Sequence, residues 1–187
     1  MNYSLGLDIS TSCTGWCIVT SEGSFVDMGY IPLSNKLSSY HKAQVVLERL
    51  SSLHTQYRIT SVYIEENLQA FRPGFSSAKT LLTLARFNGI ISYLAQQEFT
   101  CPPEYINVNV ARKAVGLKII SKKKGGKPTK EQVFDWVDNK VTYRWPLKTL
   151  KSGPRKDTKI LDPGCFDSAD AYVIAMAGSK IASQDRN

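Results

Sequence analysis

Leu5-Gly6-Leu7-Asp8-Ile9-Ser10-Thr11-Ser12-Cys13-Thr14-Gly15-Trp16-Cys17-Ile18-Val19 is the stretch whose reading decides the fold. Its first part belongs to an apolar, alternating run from Tyr3 to Ile9, and its last part to a second strand-like run from Gly15 to Thr20. A turn at Ser21-Glu22-Gly23-Ser24 leads into a third run, Phe25 to Leu33, so the opening reads as an antiparallel meander. Asp8 is the anomaly in it. A charge inside an otherwise apolar strand requires a partner.

Working outward, Ala43, Val46, Leu47, Leu50 and Leu53 recur at helical spacing, which predicts an amphipathic helix over Ser39 to Tyr57. Ile59 to Glu65 is a short β-branched run, expected to pair in parallel after that helical crossover. The longest helical pattern covers Ser77 to Glu98 and is interrupted only by Gly89; Tyr105 to Val110 reads as a last strand. Two further helices are expected at Thr129 to Asn139, with Thr129 placed to cap, and at Asp167 to Ala182. A chain of 187 residues suits a single domain, 1–187, with basic loops over 118–130 and 144–165. No apolar run reaches the roughly 20 residues that span a bilayer, and Met1-Asn2-Tyr3-Ser4 has no signal-peptide pattern. A cytoplasmic location without a membrane partner is expected. Cys13, Cys17, Cys101 and Cys165 lack paired metal spacing and read as free thiols, although Cys13 and Cys17 lie near enough in sequence to meet.

Three antiparallel strands, then parallel strands alternating with helices, give an α/β order that resembles the ribonuclease H type: a mixed five-stranded sheet flanked by helices. On that order the acids acquire positions. Asp8 falls near the end of the central strand, Glu65 ends its expected neighbour, and Asp167 and Asp170 sit three apart on one face of the final helix. Carboxylates gathered without cations repel, and Mg²⁺ is the natural compensation because hard cations take carboxylate oxygens. Two such ions ~4 Å apart serve hydrolysis at phosphorus without any histidine base. Plainer accounts stand beside this one: Asp167 as a helix cap, and Glu65 with Glu66 as an exposed strand end.

The 24 Lys and Arg against 16 Asp and Glu favour a polyanionic partner. The excess concentrates in Lys118 to Lys130 and Arg144 to Lys159, both poor in periodic apolar residues and read as loops. They are either solvated linkers or phosphate contacts, with Tyr143 and Trp145 offered for stacking.

LGLDISTSCTGWCIV at Leu5 to Val19, VYIEENLQAF at Val62 to Phe71, the helix from Ala78, and FDSADAYVIA at Phe166 to Ala175 resemble, in order, the RuvC family of Holliday-junction resolvases. The resemblance implies Asp8, Glu65, Asp167 and Asp170 as catalytic and metal-binding residues holding two Mg²⁺ or Mn²⁺ ions. It implies a homodimer that nicks branched DNA, a four-way junction, symmetrically, with no nucleotide cofactor and with the Ala78 helix in the dimer interface. Phosphate contacts are expected from Arg112, Lys113, Lys118, Lys122, Lys123, Lys124, Lys127 and Lys130. After Glu65, the position where bacterial members carry a stacking aromatic holds Leu68, and Phe71, which follows, is expected to contact DNA in its place. These departures and the two basic loops mark a divergent member, with a phage or viral source expected and a bacterial host cytoplasm as its location. A broader branched-DNA endonuclease, an actin-like or sugar-kinase-like ATP-binding domain and a catalytically inert junction binder are the competing readings.

Overall fold

The computed structural model describes residues 1–66 and 78–184. Strands β1 (Tyr3–Ile9), β2 (Cys13–Thr20) and β3 (Phe25–Pro32) form the meander. Helix α1 (Ser39–Gln56) crosses to β4 (Ile59–Glu65), and α2 (Ala78–Phe99) crosses to β5 (Glu104–Ile106). The five strands make one mixed sheet in the order β3-β2-β1-β4-β5, parallel at β1–β4 and β4–β5 and antiparallel elsewhere. Helices α3 (Val108–Val115), α4 (Thr129–Asp138) and α5 (Gly164–Gln184) follow, and a short antiparallel hairpin, β6 (Leu147–Thr149) with β7 (Lys159–Leu161), precedes α5.

The period of two along each strand sorts side chains into two cores. Leu5, Leu7, Ile9, Trp16, Ile18, Val62 and Ile64 face α1 and α2. Cys17, Val19 and Tyr63 face α5, α3 and α4. Burying a residue such as Leu50 or Ile174 contributes roughly 1.5–3 kcal/mol. Asp8 and Gly6 share parity on β1, so the face that carries Asp8 is the face that receives α5. That helix lies unusually close. A Cβ on Gly6 would meet the Ala171 carbonyl oxygen at 2.5 Å, and one on Gly15 would meet the Asp167 carbonyl oxygen at 1.9 Å. Two strand glycines thus make the bed on which α5 rests.

Four expectations need correction. The strand read over Tyr105 to Val110 ends at Ile106, and Val108–Val115 is a helix. Asn107 caps that helix by accepting from the Asn109 N–H, and Gly116 closes it with φ 79°, overriding the β-branched run. Thr129 is the first residue of α4 rather than its cap, the capping position being Pro128. The 118–130 segment is not a free loop. A single 3-10 turn, Lys122–Lys124, sits inside it, and Gln132 on α4 accepts from the Ile120 N–H at 2.8 Å and donates to the Lys127 carbonyl at 2.6 Å. The Arg144 to Lys159 stretch builds the β6–β7 hairpin instead of a loop, and its aromatics are committed internally. Trp145 Nε1 donates to Asp138 at 2.7 Å and its ring packs on Phe134, while the Tyr143 hydroxyl donates to the Met28 carbonyl at 2.8 Å. Among the described residues no helix is long and apolar enough to cross a membrane.

Candidate active site

β1 and β4 pair in parallel with Leu7 opposite Ile64, so Asp8 and Glu65 leave the sheet side by side at their carboxyl ends. On the other flank Asp8 pairs with Gly15, and the missing side chain there admits the first turns of α5. Asp162, just before that helix, accepts from the Gly164 N–H at 3.0 Å. The capping role once open to Asp167 is therefore filled, and Asp167 and Asp170, further into α5, turn toward the strand ends. Asp8, Glu65, Asp167 and Asp170 all line one cleft of about 870 Å³, with Ser10, Ser12, Asn107, Asn109, Arg112 and Lys130.

The electrostatics are those of crowded, poorly hydrated carboxylates. Burial first, then Glu65, Asp170 and Asp167, push Asp8 well above the usual carboxylate range. Burial and then Asp170 raise Glu65 to about 7. Burial raises Asp170 to about 6 against the opposing pull of Arg112 and Lys130. The Arg112 guanidinium lies 3.9 Å from Asp170 and the Lys130 ammonium 3.6 Å from Asp167. Partial burial works against the Lys130 charge, yet Asp167, Asp170 and Asp8 hold its pKa above the ordinary value. Among the described residues no three His, Cys, Asp or Glu side chains are grouped tightly enough to hold an ion as they stand. Like charges without a cation keep apart, and two basic side chains provide the compensation instead. The donor set itself is all carboxylate, apart from the Cys13 thiol, and fits a hard divalent cation far better than a soft one.

A stability consequence follows for the metal-free protein. Asp170 has a folded-state pKa of about 6 against an ordinary 3.8, so the folded state binds the extra proton between those values. Stability is then lost as pH rises through that window, and the penalty, on the order of 2–3 kcal/mol, is complete above it. Asp170→Asn is expected to raise the melting temperature in chelator by several degrees at pH 8 and by almost nothing at pH 4. Equal shifts at both pH values in a thermal melt would contradict this assignment.

Of the expected phosphate contacts, Arg112 and Lys130 stand in the cleft. Lys113 and Lys118 line an adjoining recess that shares Asn109 and Arg112 with it. Lys122, Lys123 and Lys124 are exposed on the 3-10 turn. Lys127 is tied to Asp135 at 2.7 Å, which compensates its charge internally. Phe71 and Leu68 lie outside the described residues.

Several site residues escaped the sequence reading. Cys13, on the β2 edge of the site, has its thiol pushed up by burial first and then by the neighbouring Asp167 carboxylate. Asn88 on α2 donates to the Glu65 carbonyl at 3.5 Å, and the buried Ser92 with the exposed Tyr105 extends a polar chain behind it to the surface. Asn88 was legible in principle as an amide within an apolar helical stripe.

A crossover junction endodeoxyribonuclease RuvC of Aliarcobacter butzleri is 31% identical over 149 residues, which is 78% of this chain and 88% of that protein. The chain belongs to the RuvC family. RuvC structures from Thermus thermophilus, alone and in complex with Holliday junction substrate, align with TM-scores of 0.62 and 0.63 at 16% and 15% identity, over 98% of this chain and 96% of each of those chains. The yeast mitochondrial Holliday junction resolvase Ydc2 aligns with a TM-score of 0.57 at 15% identity, over 98% of this chain and 80% of its own. These likenesses establish the ribonuclease H-like fold of the RuvC family. No family model matches the chain.

Proposed function

We propose that the chain is a metal-dependent, structure-specific DNA endonuclease that resolves four-way junctions by paired symmetric nicks, acting as a homodimer with one nuclease domain, 1–187, per chain. The observation that carries it is the convergence of four carboxylates from β1, β4 and α5 in one cleft flanked by Arg112 and Lys130. Its RuvC relative is a crossover junction endodeoxyribonuclease, and the Thermus RuvC was solved with Holliday junction substrate.

Asp8, central in the cluster, would be the ligand shared by two Mg²⁺ or Mn²⁺ ions; Glu65 and Asp170 would each hold one, and Asp167 would bind an ion or orient the attacking water. Such an ion pair supplies activation of water and stabilisation of the leaving oxygen in an in-line displacement, giving 5′-phosphate and 3′-hydroxyl ends. The chain's own part is to hold these carboxylates in place, where burial raises their pKa values and a bound cation would draw them into the charged form. Asn88 fixes the backbone at Glu65, while the glycine bed fixes Asp167 and Asp170 against Asp8. Arg112 and Lys130 are at hand for non-bridging phosphate oxygens, and Lys113, Lys118 and Lys122 to Lys124 extend the cationic surface away from the cleft. The outer face of α2 leaves Leu82 58% and Tyr93 63% exposed, which supports a second copy as its cover.

Strand-resolved mapping of cuts on a four-way junction, a fork, a flap and linear duplex tests the reading. Paired nicks at symmetric positions on the junction are expected. Equal cutting of linear duplex would overturn junction selectivity. Chelation with EDTA is expected to abolish cutting and spare junction binding in a mobility-shift titration; cutting that survives chelation would rule out the metal mechanism.

A further inference from the structure

The link between β1 and β2 is braced from two sides. Internally, the Ser10 hydroxyl donates to the Cys13 carbonyl at 2.7 Å and accepts from the Cys13 N–H at 3.1 Å, and the Leu33 N–H reaches the Ser12 carbonyl at 2.9 Å. From α1, on the opposite face of the sheet from α5, the Lys42 ammonium donates to the Thr11 carbonyl at 2.6 Å. Lys42 is only 7% exposed. Lysine is among the residues least often buried, and its hydrogen bond here goes to the main chain rather than to a carboxylate. A methionine would fill much the same space without an ammonium to desolvate, so the charge is retained at a cost to stability.

What that cost secures is the conformation of a turn in the wall of the cleft. With the Thr11, Ser12 and Cys13 carbonyls all engaged, the group left facing outward is the exposed Ser12 hydroxyl, 3.2 Å from the Ser10 hydroxyl. Ser10 and Ser12 line the cleft beside Asp8, whereas its cations come from α3 and α4. A DNA strand laid with one phosphate at the carboxylates passes over this rim, where a neutral donor serves a phosphate oxygen and leaves the acids to the metal ions. We propose that the Ser10–Cys13 turn is a phosphate-holding station for the strand being cut, with Ser12 the substrate contact and Lys42 the positioning residue that pins it. This rests on the nuclease reading above.

The test uses the full chain. Hydrogen exchange over residues 10–13 is expected to accelerate at least tenfold in Lys42→Met, and this arm needs no DNA. Single-turnover nicking at saturating junction is expected to fall on the order of tenfold in both Lys42→Met and Ser12→Ala. Junction affinity should stay within about threefold, because many phosphate contacts share it. The double variant should be no slower than the slower single one, since Lys42 acts through the turn. Independent, multiplying losses, or wild-type exchange and rate in Lys42→Met, overturn the proposal. If Lys42→Met does not fold, a wild-type rate in Ser12→Ala, an exposed change, overturns it equally. No nicking by the wild-type protein would instead refute the nuclease reading, while the exchange arm still reads the hold of Lys42 on the turn.

Discussion

Asp8→Asn is expected to lower junction nicking by on the order of 10³-fold or more while leaving four-way junction binding intact. Asparagine keeps the shape of the side chain and removes the charge that a hard cation needs. Asp8 is the member of the cluster whose pKa responds to all three of the others, Glu65, Asp170 and Asp167, which places it at the electrostatic centre of the site. Removing one preorganised group at such a centre costs roughly 10²–10³ in rate, and in the two-ion mechanism proposed above a shared ligand would affect both ions together. The lysines and arginines proposed to contact phosphate are untouched, so affinity is expected to persist. Nicking assays and mobility shifts on one junction separate the two effects. Full Mg²⁺-dependent nicking by Asp8→Asn would refute the assignment of the site.

Gly15→Ala should damage the enzyme nearly as much without removing any functional group. The added methyl would lie 1.9 Å from the Asp167 carbonyl oxygen, 2.3 Å from its carbonyl carbon and 2.9 Å from the Ser168 nitrogen, all main-chain atoms that no rotamer change can clear. α5 must therefore lift, carrying Asp167 and Asp170 away from Asp8. Overpacking of this kind costs about 3 kcal/mol, or several degrees of melting temperature or more for a chain this size. A displacement approaching an ångström at the carboxylates lowers nicking by about 10²-fold. Wild-type melting and nicking in Gly15→Ala would show that α5 does not depend on this contact.

Much of this was legible before any coordinates. Strand parity and the meander follow from hydrophobic alternation, and Asp8 announced itself as a charge in an apolar strand. Glu65 came with it, since the parallel pairing that follows a helical crossover brings the two strand ends together. Asp167 was ambiguous because a carboxylate near a helix start has two uses; only the position of Asp162 resolves which residue serves the helix end. Helix α3 was misread because Val108 and Val110 carry strand propensity, although Asn107 and Gly116 mark the two ends of a helix between them. Trp145 and Tyr143 looked available for stacking on DNA because composition does not show that they pack on Phe134 and bond to Met28. The Lys42 hydrogen bond spans 31 residues of sequence and two faces of the sheet, and a lysine in a helical pattern otherwise reads as solvated surface.

The glycine bed has one more consequence, in the order of synthesis. Asp8 and Glu65 leave the ribosome early, but α5, with Asp167 and Asp170, is made after all the strands of the sheet, and it fills the groove over Gly6 and Gly15. A nascent chain therefore carries half of the acidic cluster and an uncovered apolar groove, so nuclease competence arrives together with burial of the last core helix.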